Sequence, residues 1–322
     1  MTQPLRYRRI LVAMDFSKYS EAALWQAIWL GRIQGAKIVL AHALPDLRKI
    51  AHEASYKAKL DLLEGEGKLF EREVRERSDS KMRQTILEFK ADDLDIQFET
   101  LIGESFVELI HAVQAEAFDL VLAGTRGISS WENFLVGSTA SRLVQKCPSC
   151  VWIVKAEHVG PPKVVLAPMD FSPVSLKAVR HGWSIAQQAN ATFHLLHVID
   201  EKDISSSYFA NANRKEINEA VERRLYGVLE SLQIDSEQIR VHLSIGTPWQ
   251  EVSRLAQHLG VDLIAMGTVG RGGIQGLLLG NTVEKVLRTS DCSILTVKPD
   301  DFLSPIQPAS WPLHPGKDSE LQ

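Results

Sequence analysis

The chain has 322 residues, 45% of them hydrophobic and 24% charged, with a formal net charge of −4. At about 100–200 residues per domain this length suggests two domains, and the average composition excludes wholesale disorder and collagen-like repeats. The acidic balance, with only Arg6, Arg8 and Arg9 as a basic cluster, argues against a nucleic-acid partner, and three cysteines exclude a disulfide scaffold and suit a reducing, cytoplasmic compartment.

The first apolar run, Ile10–Met14, follows basic residues as a signal peptide would. It is about half the usual hydrophobic length and ends at Asp15, so it reads as a buried first strand. Ser20–Ile33 then shows helical spacing, and Lys37–Leu44 is a second β-branched run. Residues 46–92 are rich in charge at helical spacing (Glu71/Arg75, Glu73/Arg77) and predict one or two solvated helices interrupted near Gly65 and Gly67. Strands are expected at Asp95–Leu101, Leu120–Ala123 and Cys150–Lys155, with helices at Ser105–Ala115 and Ser138–Lys146. Ala156–Pro162 is turn-prone and suits a linker. Nowhere do about 18 apolar residues run uninterrupted, so no transmembrane helix and no membrane partner are expected.

Beyond the linker the pattern repeats, with strands expected at 164–169, 191–199, 239–245, 262–266 and 293–298. Asp15-Phe-Ser17 reappears as Asp170-Phe-Ser172, an offset of 155 residues that also carries His42 onto His197. Gly124-Thr-Arg-Gly127 falls on Gly267-Thr-Val-Gly270 and Gly137-Ser-Thr139 on Gly280-Asn-Thr282, now at an offset of 143, which also carries Gly103 onto Gly246 and Lys155 onto Lys298. The first copy therefore holds 12 more residues between His42 and Gly103. A unit of this length is a duplicated domain rather than a solenoid repeat. Continuous apolar strands alternating with helices indicate a parallel sheet covered on both faces. The expected architecture is two α/β doubly wound, Rossmann-like domains of five strands in tandem, spanning 1–157 and 158–300. Residues 301–322, with Pro305, Pro308, Pro312 and Pro315, form an extended or mobile tail.

In an open parallel sheet ligands settle at the carboxyl ends of the strands, where the strand order reverses. Asp15 closes the first strand, where a carboxylate accepts hydrogen bonds from ribose hydroxyls or a base amine. Glycines such as those of Gly124–Gly127 let backbone amides approach phosphate oxygens, and the helix opening at Gly137-Ser138-Thr139 adds donors and a favourable dipole. Ser138 is expected to supply a hydroxyl and N-cap that helix. The plainer reading is that the glycines permit tight strand-to-helix turns and that Asp15 and Asp170 cap the following helices.

The pattern G-x2-G-x9-G-[ST] after an apolar strand, paired with an aspartate closing strand one, resembles the nucleotide-binding signature of the universal stress protein family. The resemblance covers both halves, from about residue 6 to 300, and implies a tandem member of that family with a stress-response or regulatory role. It further implies adenine nucleotide, ATP with Mg²⁺, held in the first half by Asp15, Ala43, Gly124, Gly127, Gly137, Ser138 and Thr139. In the second half it implicates Asp170, Val198, Gly267, Gly270, Gly280 and Asn281. Asn281 stands where the motif carries Ser or Thr, and Val269 replaces Arg126. Some members of the family bind no nucleotide, so a nucleotide-free scaffold or a binder of another small ligand is the alternative reading.

Other signals carry less. Cys147-Pro-Ser-Cys150 closes a helix rather than opening one, which suits buried cysteines better than a redox pair. His194 and His197 lie three apart on a strand and point to opposite faces. His42 and His197 match in position and are expected to be packed, hydrogen-bonded histidines. No G-x4-G-K-[ST], G-x-G-x-x-G, G-x-S-x-G or H-E-x-x-H is present, and no nucleophile, base and orienter converge, so nothing beyond slow hydrolysis of a bound nucleotide is expected. Each copy ends in an apolar strand, an edge that invites pairing. The resemblance implies antiparallel pairing of 150–155 with 293–298, an intramolecular pseudo-dimer, and is compatible with a larger homo-oligomer.

Overall fold

Strands form where β-branched and apolar residues run without a break, because both faces of these strands are buried. In Arg9–Ala13 (β1) Ile10 and Val12 enter one apolar cluster and Leu11 the other, all with no exposed surface. The computed structural model describes residues 5–45, 64–125, 136–155, 160–200, 214–270 and 279–309. In chain order the elements are β1, α1 (Lys18–Gln34), β2 (Lys37–Leu44), α2 (Glu64–Glu88), β3 (Ile96–Ile102), α3 (Ser105–Glu116), β4 (Leu120–Gly124), α4 (Ser138–Lys146) and β5 (Cys150–Val154). The second half follows with β6 (Val164–Pro168), α5 (Pro173–Ala189), β7 (Thr192–Ile199), α6 (Arg214–Ser231), β8 (Ile239–Ile245), α7 (Pro248–Leu259), β9 (Leu263–Gly267), α8 (Asn281–Thr289) and β10 (Ser293–Val297).

The helix ends follow capping chemistry. Ser17 and Ser172 accept the backbone N–H groups of Ser20 and Ser175, and Pro173 opens α5, where its missing N–H costs nothing. Gly35 ends α1 in the left-handed region at φ 68°. Helices α1, α2, α5 and α6 cover one face of the sheet and α3, α4, α7 and α8 the other. Of the expected helices over 46–92, residues 46–63 lie outside the described residues; from Glu64 onward α2 includes Gly65 and Gly67 without a break. Each glycine costs about 1 kcal/mol in a helix, and burial of Met82 with no exposed surface against the sheet shows that α2 is not simply solvated.

The strand order is β3-β2-β1-β4-β5-β10-β9-β6-β7-β8, a single ten-stranded sheet. Each half is parallel and doubly wound, and its order reverses between β1 and β4 or between β6 and β9. The halves join where β5 and β10 pair antiparallel, with Trp152 opposite Leu295 and Ile153 opposite Ile294. The lysines that follow these strands cross the seam in both directions. Lys155 donates to the carbonyl of Ser290 at the end of α8, and Lys298 donates to Val144 and Gln145 carbonyls at the end of α4, at 2.7 and 2.9 Å. A cation there satisfies carbonyls that the helix leaves unpaired and meets the negative end of its dipole.

Behind the seam, α1 and α5 meet through Gln34 and Gln188 at 2.7 Å, and the Tyr7 hydroxyl pairs with His181 Nδ1 at 2.7 Å. Burial, aided by the nearby Lys177 charge, pulls His181 down to about 4, so the imidazole bridging Tyr7 and Cys150 is neutral. The tail has no helix or strand up to residue 309, yet it is anchored on the first half. Ser304 donates to the Lys146 carbonyl at 2.8 Å, and Gln114 donates to the Ile306 carbonyl at 2.9 Å.

Candidate functional site

In the second half, the carboxyl ends of β6, β7 and β9 and the N-termini of α7 and α8 enclose a cleft of about 680 Å³. It opens at the point where the strand order reverses, the place expected for a ligand in this topology. Asp170, Val198, Gly267, Gly270, Gly280 and Asn281, the six positions singled out from sequence, all line it.

The turn after β6 is tightly specified. Met169 N–H donates to the Leu196 carbonyl at 2.8 Å, and Asp170 N–H donates to Ser175 Oγ at 3.3 Å. Ser172 N–H donates to Asp170 Oδ1 at 3.0 Å, a local turn closed by the aspartate itself. Asp170 therefore does not cap α5; Ser172 does. Gly270 sits so close that a Cβ on it would fall 2.6 Å from Asp170 Oδ2. Gly267 answers to packing instead, since a Cβ there would meet Val174 Cγ1 at 2.7 Å.

Two hydrogen bonds fix the glycine loop at its ends. Thr268 N–H donates to the Val297 carbonyl at 2.9 Å, and Gly280 N–H donates to the Thr268 carbonyl at 2.7 Å. Gly280 is the N-cap of α8, with no side-chain cap, so the first N–H groups of a nine-residue helix border the cleft. Unpaired N–H groups and the positive end of the helix dipole favour an anion there. The apolar wall comes from Leu196, Val198, Val252 and Met266.

The first half repeats this plan. Ser17 N–H donates to Asp15 Oδ1 at 3.0 Å, and Gly137 N–H donates to the Thr125 carbonyl at 2.6 Å. Ala43 lies near the end of β2, Gly124 closes β4, and Ser138 and Thr139 open α4. Gly127, like Arg126, lies outside the described residues. The expectation that Ser138 caps α4 is corrected: the N-cap is Gly137, at φ −68° and ψ 160°, and Ser138 is the first helical residue. The 2.6 Å bond to Thr125 holds Gly137 in the extended conformation, and its carbonyl accepts the first helical bond from Ser141.

The sequence did not single out Asp200, Pro248, Val252, Met266 or Thr268, which also line the second cleft. Thr268 was within the repeated loop motif and Asp200 directly follows β7, so both could have been found from the rule that strand ends carry sites. Pro248 and Val252 come from a helix start distant in sequence and gave no signal.

His42 Nδ1 donates to the Met14 carbonyl and His197 Nδ1 to the Met169 carbonyl, both at 2.7 Å, as expected for packed histidines. His194 pairs instead with His242 at 2.8 Å, so it shares no ion with His197. Cys147, Cys150 and Cys292 are free and buried, each thiol pushed up to about 12, first of all by desolvation. Cys147 and Cys150 enter clusters on opposite faces of the sheet, which leaves no redox pair. Among the described residues no three His, Cys, Asp or Glu side chains are grouped to hold a metal ion, and no helix is long and apolar enough to cross a membrane.

Comparison with known proteins follows the same division. Universal stress protein E of Salmonella typhi is 25% identical over 313 residues, covering 94% of this chain and 97% of the relative. Universal stress protein E of Escherichia coli K12 is 25% identical over 321 residues, covering 94% and 97%. A crystal structure of a universal stress protein from Archaeoglobus fulgidus aligns at a TM-score of 0.61 with 22% identity, covering 90% of this chain and 98% of that one. The description of the universal stress protein family matches residues 6–155 and again 162–298, and the chain belongs to that family.

Proposed function

We propose that the protein binds adenine nucleotide, ATP with Mg²⁺, in the cleft of each half and acts as a stress-response regulator through its occupancy. The observation that carries this reading is the convergence of Asp170, Val198, Gly267, Gly270, Gly280 and Asn281 on one cleft of about 680 Å³. That volume lies within the range of about 300–1,000 Å³ usual for small-molecule sites. The apolar wall of Leu196, Val198 and Met266 suits a base, Asp170 suits a ribose hydroxyl or base amine, and the start of α8 suits phosphates. The donor set fits the nucleotide, and the magnesium ion would arrive on its phosphates. Residues 1–157 and 158–300 act as the two binding units, with 301–322 as an extension. Three free thiols support a cytoplasmic location.

Titration calorimetry of nucleotide-stripped protein with ATP and Mg²⁺, after mass spectrometry for co-purified nucleotide, tests the reading. Two equivalents per chain support it, whereas one equivalent assigned to the first half confines the reading to that half and removes the second cleft, where Asn281 departs from the motif. Folded protein that gives no heat and carries no nucleotide overturns it in favour of a scaffold.

A further inference from the structure

Phe171, which follows the cleft aspartate Asp170, and Phe16, which follows its counterpart Asp15, are held at φ 64° and 63°. Bulky side chains rarely adopt this left-handed conformation, which persists only where the surroundings over-determine it. Those surroundings are the same in both halves. Phe171 lies against His197 with ring centroids 4.6 Å apart, and Arg224 on α6 places its guanidinium 4.1 Å from the centre of the Phe171 ring. Phe16 lies 4.8 Å from His42, and Lys81 on α2 places its ammonium 4.2 Å from the Phe16 ring. Lys81 and Arg224 are themselves 143 residues apart, the offset of the repeat, although the stretch before them differs in length.

We propose that Phe171, His197 and Arg224 are positioning residues that hold Asp170 toward its cleft, and that Phe16, His42 and Lys81 fix Asp15 in the same way at the corresponding strand end of the first half. The clamp grips both neighbours of the aspartate. His197 Nδ1 donates to the carbonyl of Met169, and because a carbonyl only accepts, this nitrogen carries the proton. On the other side the positive φ sends the Phe171 ring toward the face covered by α6, while Asp170 lines the cleft on the opposite face. Packing alone would not require the left-handed turn: a phenylalanine can fill a core at negative φ. The turn is what lets Asp170 Oδ1 meet Ser172 N–H while the ring lies between an imidazole and a cation.

The test rests on the nucleotide reading for one readout and is independent of it for the other. Full-length Phe171→Leu, Arg224→Met and Arg224→Lys proteins are compared for exchange of the Ser172 amide hydrogen and for ATP·Mg²⁺ binding, with the first half as internal control. Arg224 is exposed, so its variants fold even where Phe171→Leu does not. Faster Ser172 exchange is expected in Phe171→Leu and Arg224→Met, with wild-type behaviour in Arg224→Lys. One of the two sites should weaken about tenfold in Phe171→Leu and about threefold in Arg224→Met, the other staying unchanged. Unchanged Ser172 exchange overturns the clamp, and so does faster exchange with both affinities intact. If the wild-type protein binds no nucleotide, the nucleotide reading fails by itself, and Ser172 exchange alone decides whether the clamp positions Asp170.

Discussion

Gly124 and Gly267 close corresponding strands, and packing alone explains why neither carries a side chain. A Cβ on Gly124 would fall 2.6 Å from the backbone carbon of Tyr19, where α1 crosses the end of β4. Backbone cannot swing aside, so Gly124→Ala should cost about 1–3 kcal/mol, the usual penalty of overpacking. Urea unfolding measures it, and unchanged stability would mean that α1 can retreat. Gly270 differs, because its close neighbour is the carboxylate of Asp170. Gly270→Ala should leave unfolding nearly unchanged and weaken nucleotide at the second cleft, as calorimetry on the same sample would show. Ser138 opens α4 without capping it. Its hydroxyl is therefore not committed to a helix cap, and Ser138→Ala should cost nucleotide affinity about 0.5–1.5 kcal/mol, the net worth of one hydrogen bond. An unaltered dissociation constant would remove Ser138 from the site.

The strands were legible because burial on both faces demands apolar runs, and Leu120–Ala123 shows this: all four residues are buried. Asp170 of the cleft and its counterpart Asp15 were legible because they interrupt such runs at the strand end. The inclusion of Gly65 and Gly67 in α2 was not legible, since local propensity argues against both, and the burial of Met82 farther along the helix depends on tertiary contact that the charged pattern does not show. Nor could the sequence show His181 on α5 meeting Tyr7 before β1, because 174 residues separate them. That contact has a pH consequence. His181 titrates at about 4 in the folded protein, below its ordinary value of 6.5, so the unfolded chain binds the extra proton between these values. Stability should therefore be full above pH 6.5 and fall progressively toward pH 4, by about 3 kcal/mol from this group. Urea midpoints across that window should show the slope in the wild type and a shallower one in His181→Gln. Parallel profiles would show that acid acts elsewhere, for example at His194, whose value burial and His242 also pull down to about 4.

At the scale of the whole molecule, the duplication solves an edge problem. A lone half would expose β5, whose five residues are all buried in the complete chain. Pairing β5 with β10 removes both edges, and Lys155 and Lys298 then tie each half to a helix of the other. Lys298 is so enclosed that desolvation pulls it down to about 8, which makes its two carbonyl bonds part of a dry seam. Such a seam should make the halves unfold together, although chains of two domains often do not. Trp152 is the place to test this, being 1% exposed and opposite Leu295. Truncating a buried tryptophan to alanine costs about 3–5 kcal/mol. Among the described residues the Trp152 indole N–H has no partner, so its removal also relieves a desolvated donor and the loss should lie near the lower figure. In scanning calorimetry, Trp152→Ala should lower the temperature of one shared transition. A second transition left at the wild-type temperature would show that the ten-stranded sheet is two independent sheets in contact, and that the lysine caps do not couple them.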